Sequence, residues 1–217
     1  MRQVRVKICG ITREEDLAVA VAAGADAVGF VVGAPLSPRN VSLEKAEKLI
    51  SLVPIFVDSV LVMVPTSTDE LSKTCKKLNP NSLQIHGENL PGAFSLRDKL
   101  SNTHLIRAVS ANHVSVIKVA ADASKLFDAI LIDTCTDGKY GGTGVTHDWE
   151  LSKRVRQIIH PMPLILAGGL SPENIRDAVN TVQPYAVDVS SGVEQKPGFK
   201  DERKVMEFIK NAKDVRI

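Results

Sequence analysis

The first apolar and polar positions of the chain alternate. Val4, Val6 and Ile8 make one row at a spacing of two, and Arg5, Lys7 and Cys9 interleave with them, the mark of a strand with two unlike faces. Two cations and a thiol opposite an apolar row do not suit a sheet over an oily core. They suit the inner wall of a closed barrel, where the apolar row faces a jacket of helices. Gly10 ends the run, and Thr12-Arg13-Glu14-Glu15 has the Thr-x-x-Glu spacing of a capping box, which predicts a helix from Glu14. Cys9 is therefore expected at the C-terminal end of a strand, where barrel enzymes keep their chemistry.

The same alternation of a short β-branched run and an amphipathic segment recurs eight times. The predicted strands are Val4–Ile8, Ala27–Val32, Ser59–Val64, Ser82–His86, His104–Val109, Ala129–Asp133, Pro163–Ala167 and Ala186–Ser190. The helices are expected to begin near Glu14, Leu43, Asp69, Pro91, Val114, Trp149, Pro172 and Asp201. Ser67-Thr68-Asp69-Glu70 is a second capping box, Asp148 can cap the sixth helix, and Ser171-Pro172 places proline at a first helical position. Gly24 suits the end of the first helix, and Asn79-Pro80 stops the third. Alternating units of roughly 20 to 35 residues argue a parallel sheet, and eight of them argue closure. The expected architecture is one domain over 1–217, an eight-stranded parallel β/α (TIM) barrel; an open doubly wound sheet is the structural alternative. Taking the face opposite each apolar row as interior places Gln84, His86, Arg107, Asp133, Asp188 and Ser190 inside. Charges of both signs there must meet one another or a ligand, so Lys7 and Arg107 are expected to pair with the acids.

Composition narrows the class. A hydrophobic fraction of 44% and a net charge of +2, from 27 basic and 25 acidic residues, carry no electrostatic footprint of nucleic acid or a membrane surface. Cys9, Cys75 and Cys135 are odd in number and widely spaced, which favours a reducing, cytoplasmic setting over disulfides or a zinc site. No targeting segment is expected before the first strand. The most apolar region, Ile50–Pro65, is broken by Pro54, Asp58 and Ser59, so it falls short of a membrane span of about 20 residues.

Several constellations can carry chemistry. Leu166-Ala167-Gly168-Gly169-Leu170-Ser171 and Asp188-Val189-Ser190-Ser191-Gly192 each end a strand in Gly and Ser ahead of helical sequence. Such turns leave backbone N–H groups for an anion, and the loops after strands 7 and 8 are the usual phosphate site of this architecture; the bland alternative is two tight βα turns. Cys9 and Asp133 stand at the ends of non-adjacent strands, where they can face one another across the barrel mouth with room for a small molecule between them, an arrangement suited to general acid–base work on two sides of one substrate. A lone buried cysteine is otherwise a small hydrophobe, the reading kept for Cys75 and Cys135. Arg39, in Ser37-Pro38-Arg39-Asn40-Val41, is either a fork for a carboxylate or a solvated loop arginine. Gln84 and His86 are either substrate ligands or interior polar groups with partners. The loop Asp137–Gly144, with Gly142 and Gly144, is a lid, a second backbone contact to phosphate, or a surface loop; its spacing is not that of a nucleotide-binding loop. No spacing of His and acids gives three convergent metal ligands.

Taken together these motifs resemble the phosphoribosylanthranilate isomerase family of tryptophan biosynthesis over almost the whole chain. The resemblance rests on Lys7-Ile-Cys-Gly-Ile-Thr, Gly29-Phe30 with Ser37–Val41, Gln84-Ile85-His86-Gly87, Leu131-Ile132-Asp133-Thr134 and Gly141-Gly142-Thr143-Gly144 with Asp148-Trp149. Leu166–Leu170 and Asp188–Glu194, trailed by Pro197–Asp201, complete it. It implies a cofactor-independent Amadori rearrangement of a phosphorylated aminoaldose by a monomer or homodimer. It further implies Asp133 as the acid that opens the furanose ring, Cys9 as the base at C2, Arg39 on the anthranilate carboxylate, and Gly169 with Ser191-Gly192 at the phosphate. Two departures stand out. Val145-Thr146-His147 replaces a run that often carries Lys and Phe, and Leu61-Val62-Met63-Val64-Pro65 replaces the common third strand. Rival phosphosugar barrels need arrays of lysines and glutamates, or paired acids with metal-binding histidines, and neither set is present. A barrel reduced to a scaffold has no reason to keep both Cys9 and Asp133.

Overall fold

In the computed structural model, which describes residues 2–87, 94–134 and 146–217, eight parallel strands close into a barrel in chain order. They are β1 (Arg5–Ile8), β2 (Ala27–Val32), β3 (Asp58–Met63), β4 (Ser82–Ile85), β5 (His104–Ser110), β6 (Ala129–Asp133), β7 (Leu164–Leu166) and β8 (Ala186–Val189). Closure is direct: β1 pairs with β8 in the register Lys7↔Asp188, which excludes the open doubly wound alternative. The helices are α1 (Glu14–Ala22), α2 (Leu43–Ser51), α3 (Thr68–Leu78), α4 (Phe94–Lys99), α5 (Val116–Ala123), α6 (Trp149–Ile159), α7 (Ile175–Val182) and α8 (Glu202–Asp214). Among the described residues no helix is long and apolar enough to cross a membrane.

Two separate apolar clusters reproduce the two rows of each strand. Val4, Val6, Ile8, Val28, Phe30, Leu83, Ile85, Val187 and Val189 pack outward with the helices, whereas Cys9, Val60, Val62, Ile106, Ala108, Leu131, Ile165 and Ala167 fill the barrel. Parity misplaces one residue. Arg107 lies in register with Ile85 and in the row of Leu105 and Val109, which belongs to the jacket. Its described hydrogen bonds go to the carbonyls of Ile85 and Gly87, and not to an interior acid. The row is apolar on both sides there, so the lone arginine could not reveal its face.

Most helix boundaries follow local chemistry. Ser67 accepts from the Glu70 N–H at 3.2 Å, Asp148 accepts from the Glu150 N–H at 3.0 Å, and Asn79 ends α3 in the left-handed region at φ 47°. Gly24 follows α1 at φ 89°. One cap and two starts differ. Arg13 is the cap of α1 and makes no side-chain cap bond; Thr12 instead donates to the Gly198 carbonyl at 2.6 Å, a partner no local rule could supply. Pro172 lies in a turn, and α7 starts at Ile175 because the Asn174 side chain accepts from Ser171 N–H at 2.8 Å and donates to the Gly169 carbonyl at 2.9 Å. Helix α5 begins two residues late, the His113 ring having taken the Ser115 N–H at 3.0 Å. The expected helix start near Pro91 lies outside the described residues. An unforeseen hairpin, β9 (Glu194–Lys196) with β10 (Phe199–Lys200), follows a single turn at Ser191–Val193.

Candidate active site

The C-terminal strand ends bring together the residues expected there. Cys9 follows β1, its N–H donating to the Val189 carbonyl at 2.8 Å, and the chain then turns at Gly10, with φ 76°. Gly29 on β2 faces it. A Cβ there would stand 2.8 Å from Cys9 Sγ and 3.1 Å from Lys7 Cε, so the glycine makes the space in which thiol and ammonium lie side by side. Lys7 Nζ meets Asp188 Oδ1 at 3.0 Å, both side chains being buried. Burial works against that ammonium, but Asp188 and Cys9 outweigh it and hold Lys7 above its ordinary range. Burial also pushes the Cys9 thiol up, more than Lys7 and Lys200 lower it. The pairing of Lys7 with an interior acid is as expected from the sequence.

Asp133, the last residue of β6, is pushed up to about 7 by burial and by the neighbouring Asp188 charge, against the pull of the Thr134 N–H and Lys7. It is thus substantially protonated at neutral pH, as a general acid must be. Thr134 is itself clamped: its hydroxyl lies 3.0 Å from His147 Nδ1, and His147 Nε2 lies 2.6 Å from the buried Ser152 hydroxyl. The departure at Val145–His147 therefore has a structural role at His147, which packs behind the acid. Gln84 and His86 share a hydrogen bond of 2.8 Å inside the barrel. Burial first, then Lys7 and Arg107, drive His86 down to about 3, so its ring is neutral. Gln84 Oε1 is buried without a partner among the described residues.

The two glycine turns touch. Gly168 and Gly169 take φ of 87° and 64°, and a Cβ on Gly168 would overlap Thr134, while one on Gly192 would overlap the Leu170 carbonyl. Among the described residues the N–H groups of Gly169, Ser191 and Gly192 donate to no backbone carbonyl, an arrangement suited to a phosphate. Ser190 lies at the mouth, its Oγ 3.0 Å from where a Gly10 Cβ would stand.

Arg39 is neither solvated nor free to swing. Its Nε and Nη2 meet Glu194 Oε1 and Oε2 at 2.9 and 2.6 Å, and Lys200 Nζ meets Glu194 Oε1 at 3.0 Å. Glu194 and Lys200 had no assigned role beyond their motif. The signal for them was Pro197-Gly198, a turn pair whose hairpin sets Lys200 opposite Glu194. Cys75 is a buried packing residue whose thiol lies 3.8 Å from Thr103 Oγ1. Gly142, Gly144 and Cys135 lie outside the described residues. Among the described residues no group of three or more His, Cys, Asp or Glu can hold a metal ion.

Comparison with known proteins places the chain and its fold. Residues 6–211 match the family model described as N-(5'phosphoribosyl)anthranilate (PRA) isomerase. The N-(5'-phosphoribosyl)anthranilate isomerase of Methanothrix thermoacetophila is 44% identical over 209 residues, covering 96% of this chain and 98% of its own. The crystal structure of phosphoribosyl anthranilate isomerase from Thermotoga maritima superposes with a TM-score of 0.86 at 41% identity, covering 98% of this chain and all of that one. A structure of such an isomerase in complex with reduced 1-(o-carboxyphenylamino)-1-deoxyribulose 5-phosphate gives 0.83 at 38% identity, covering 98% and 100%.

Proposed function

The chain belongs to the N-(5'-phosphoribosyl)anthranilate isomerase family, and from that premise we infer how its residues divide the reaction. The protein is an isomerase of tryptophan biosynthesis that converts N-(5'-phosphoribosyl)anthranilate to 1-(2-carboxyphenylamino)-1-deoxy-D-ribulose 5-phosphate. On our reading Asp133 donates its proton to the furanose ring oxygen, and the ring opens to a protonated Schiff base. Cys9, as thiolate, then removes the proton from C2, and the resulting enolamine relaxes to the ketone. The observation that carries this reading is Asp133 itself, a carboxyl held up to about 7 at a strand end of the barrel that also positions the Cys9 thiol.

The two groups titrate in an order that matters. The thiol is raised from 9.0 while the acid lies at about 7, so the reactive pair, protonated acid with thiolate, is a minor tautomer of the singly protonated site. The dependence of kcat/KM on pH is then a bell whose two apparent pKa values belong to the pair: raising the pH strips the proton from Asp133, and lowering it protonates the Cys9 thiolate.

The rest of the mouth binds. The N–H groups of Gly169, Ser191 and Gly192 take the phosphate, with Gly168 shaping the turn. Arg39 takes the carboxylate, and Asp188 and Ser190 line the sugar between them. Gln84 and His86 form the floor, and Gly142 and Gly144 belong to the loop over the substrate. Residues 1–217 act as one cytoplasmic domain, and since one chain carries acid, base and phosphate turns, monomer and homodimer alike have a complete site. Loss of fluorescence from freshly made substrate tests the activity. Calorimetric titration of the reduced product analogue with and without its phosphate tests the turns, and equal affinities for the two forms would remove that assignment.

A further inference from the structure

We propose that Glu194 and Lys200 are positioning residues for substrate recognition: they hold the Arg39 guanidinium by one edge so that its other edge meets the substrate carboxylate beside Cys9. The inference rests on the carboxylate reading of Arg39 given above.

Three observations carry it. The first is the mode of contact. Glu194 occupies the side edge of the guanidinium, Nε and Nη2, which leaves Nη1 and the outer Nη2 hydrogen as a second fork; among the described residues no acceptor meets it. A planar cation with five donors can be held on one edge and still offer the other, and a lysine cannot.

The second is place. A Cβ on Gly10, the residue after Cys9, would stand 3.0 Å from both Cγ and Cδ of Arg39 and 3.0 Å from Ser190 Oγ. The arginine stem therefore runs over the strand end that carries the base, between it and the phosphate turn after β8.

The third is charge. Arg39, Glu194 and Lys200 are 11%, 4% and 1% exposed at their side chains, and two cations against one carboxylate leave the cluster with a surplus positive charge. Glu194 alone would orient Arg39 and also neutralise it. Lys200, fixed by Glu194 and by the Ser190 carbonyl at 3.1 Å, restores the surplus, which a buried site can satisfy with an anion. The cluster is held from outside as well: Lys204 Nζ donates to the Glu194 carbonyl at 3.1 Å, and Asp16 accepts from the Lys200 N–H at 3.2 Å. A hairpin needed only to cover the barrel has no use for this surplus.

The test compares kcat/KM for the natural substrate with that for its analogue made from aniline, which lacks the carboxylate, each followed by chromatographic loss of substrate. The wild-type ratio is expected to favour the carboxylate on the order of 10²-fold, and Arg39→Ala should bring it near unity. Glu194→Gln keeps the shape but loses the paired fork, and should cut the ratio about tenfold while the rate with the aniline analogue is held. If Arg39→Ala abolishes the ratio and well-folded Glu194→Gln leaves it intact, the positioning role is wrong and the Arg39 reading stands. If Arg39→Ala leaves the ratio unchanged, the Arg39 reading falls and takes this inference with it. Should Glu194→Gln not fold, Lys200→Met carries the test, because it keeps the Arg39–Glu194 fork while removing the surplus charge together with the lysine's bonds to Glu194 and the Ser190 carbonyl. An unchanged ratio in that variant would equally overturn the proposal.

Discussion

Asp133→Asn should make the protein slower and, above neutral pH, more stable. The side chain keeps its shape and loses its ionisation. In the native barrel the carboxyl is raised from 3.8 to about 7, chiefly by burial and then by Asp188. A folded-state pKa above the unfolded value means that the native protein binds this proton more tightly, so between roughly pH 4 and 7 rising pH removes stability, and above 7 the loss is complete. A shift of about 3 units corresponds to an upper bound of about 4 kcal/mol, and relaxation of the charged site will reduce it. The asparagine carries no such penalty. Urea unfolding of both proteins should give near-equal stabilities near pH 4 and a gap of about 2 to 4 kcal/mol in favour of the variant near pH 8.5. Titration of carboxylates remote from Asp133 cancels in the difference. Activity should fall by roughly 10² to 10⁴ in kcat, and the decline of activity at high pH should disappear, because the one remaining requirement, an ionised Cys9, is met better as pH rises. A stability gap that does not change with pH, or a variant with near wild-type turnover, would refute the assignment of Asp133 as a buried general acid.

Two further expectations follow from the same geometry. Cys9→Ser preserves the packing against Gly29 but raises the side-chain pKa far above neutrality, so kcat should drop by roughly 10² to 10⁴ with analogue binding retained; full activity in a normally folded variant would leave the thiol only a packing role. Gly168→Ala and Gly24→Ala both place a side chain at positive φ, 87° and 89°, but only the first meets Thr134, whereas nothing lies within 4 Å of the second. Gly24→Ala should cost about 1 kcal/mol of stability with kinetics unchanged, and Gly168→Ala should cost more and raise KM as well. Equal kinetic effects would mean that the β7 turn does not shape the phosphate site.

What the sequence by itself determined is local and periodic. Strand alternation has a period of two, so Val4, Val6 and Ile8 against Lys7 and Cys9 already separated jacket from interior. The eightfold count then closed the sheet, because each parallel strand needs a crossover and a helix to cover it. Caps such as Ser67, Asp148 and Asn79 were legible for the same reason, their partners lying within a few residues. Tertiary structure decided whatever depends on partners far away in the chain. Thr12 abandons its local cap for a carbonyl 186 residues on, and Arg39 takes a carboxylate 155 residues on. The row of Arg107 was settled by register with Ile85, since its neighbours on both faces are apolar. The proton affinities of Cys9 and Asp133 were likewise beyond any motif: they are set by how much water the closed barrel excludes and by which charges, Lys7 and Asp188, it brings beside them.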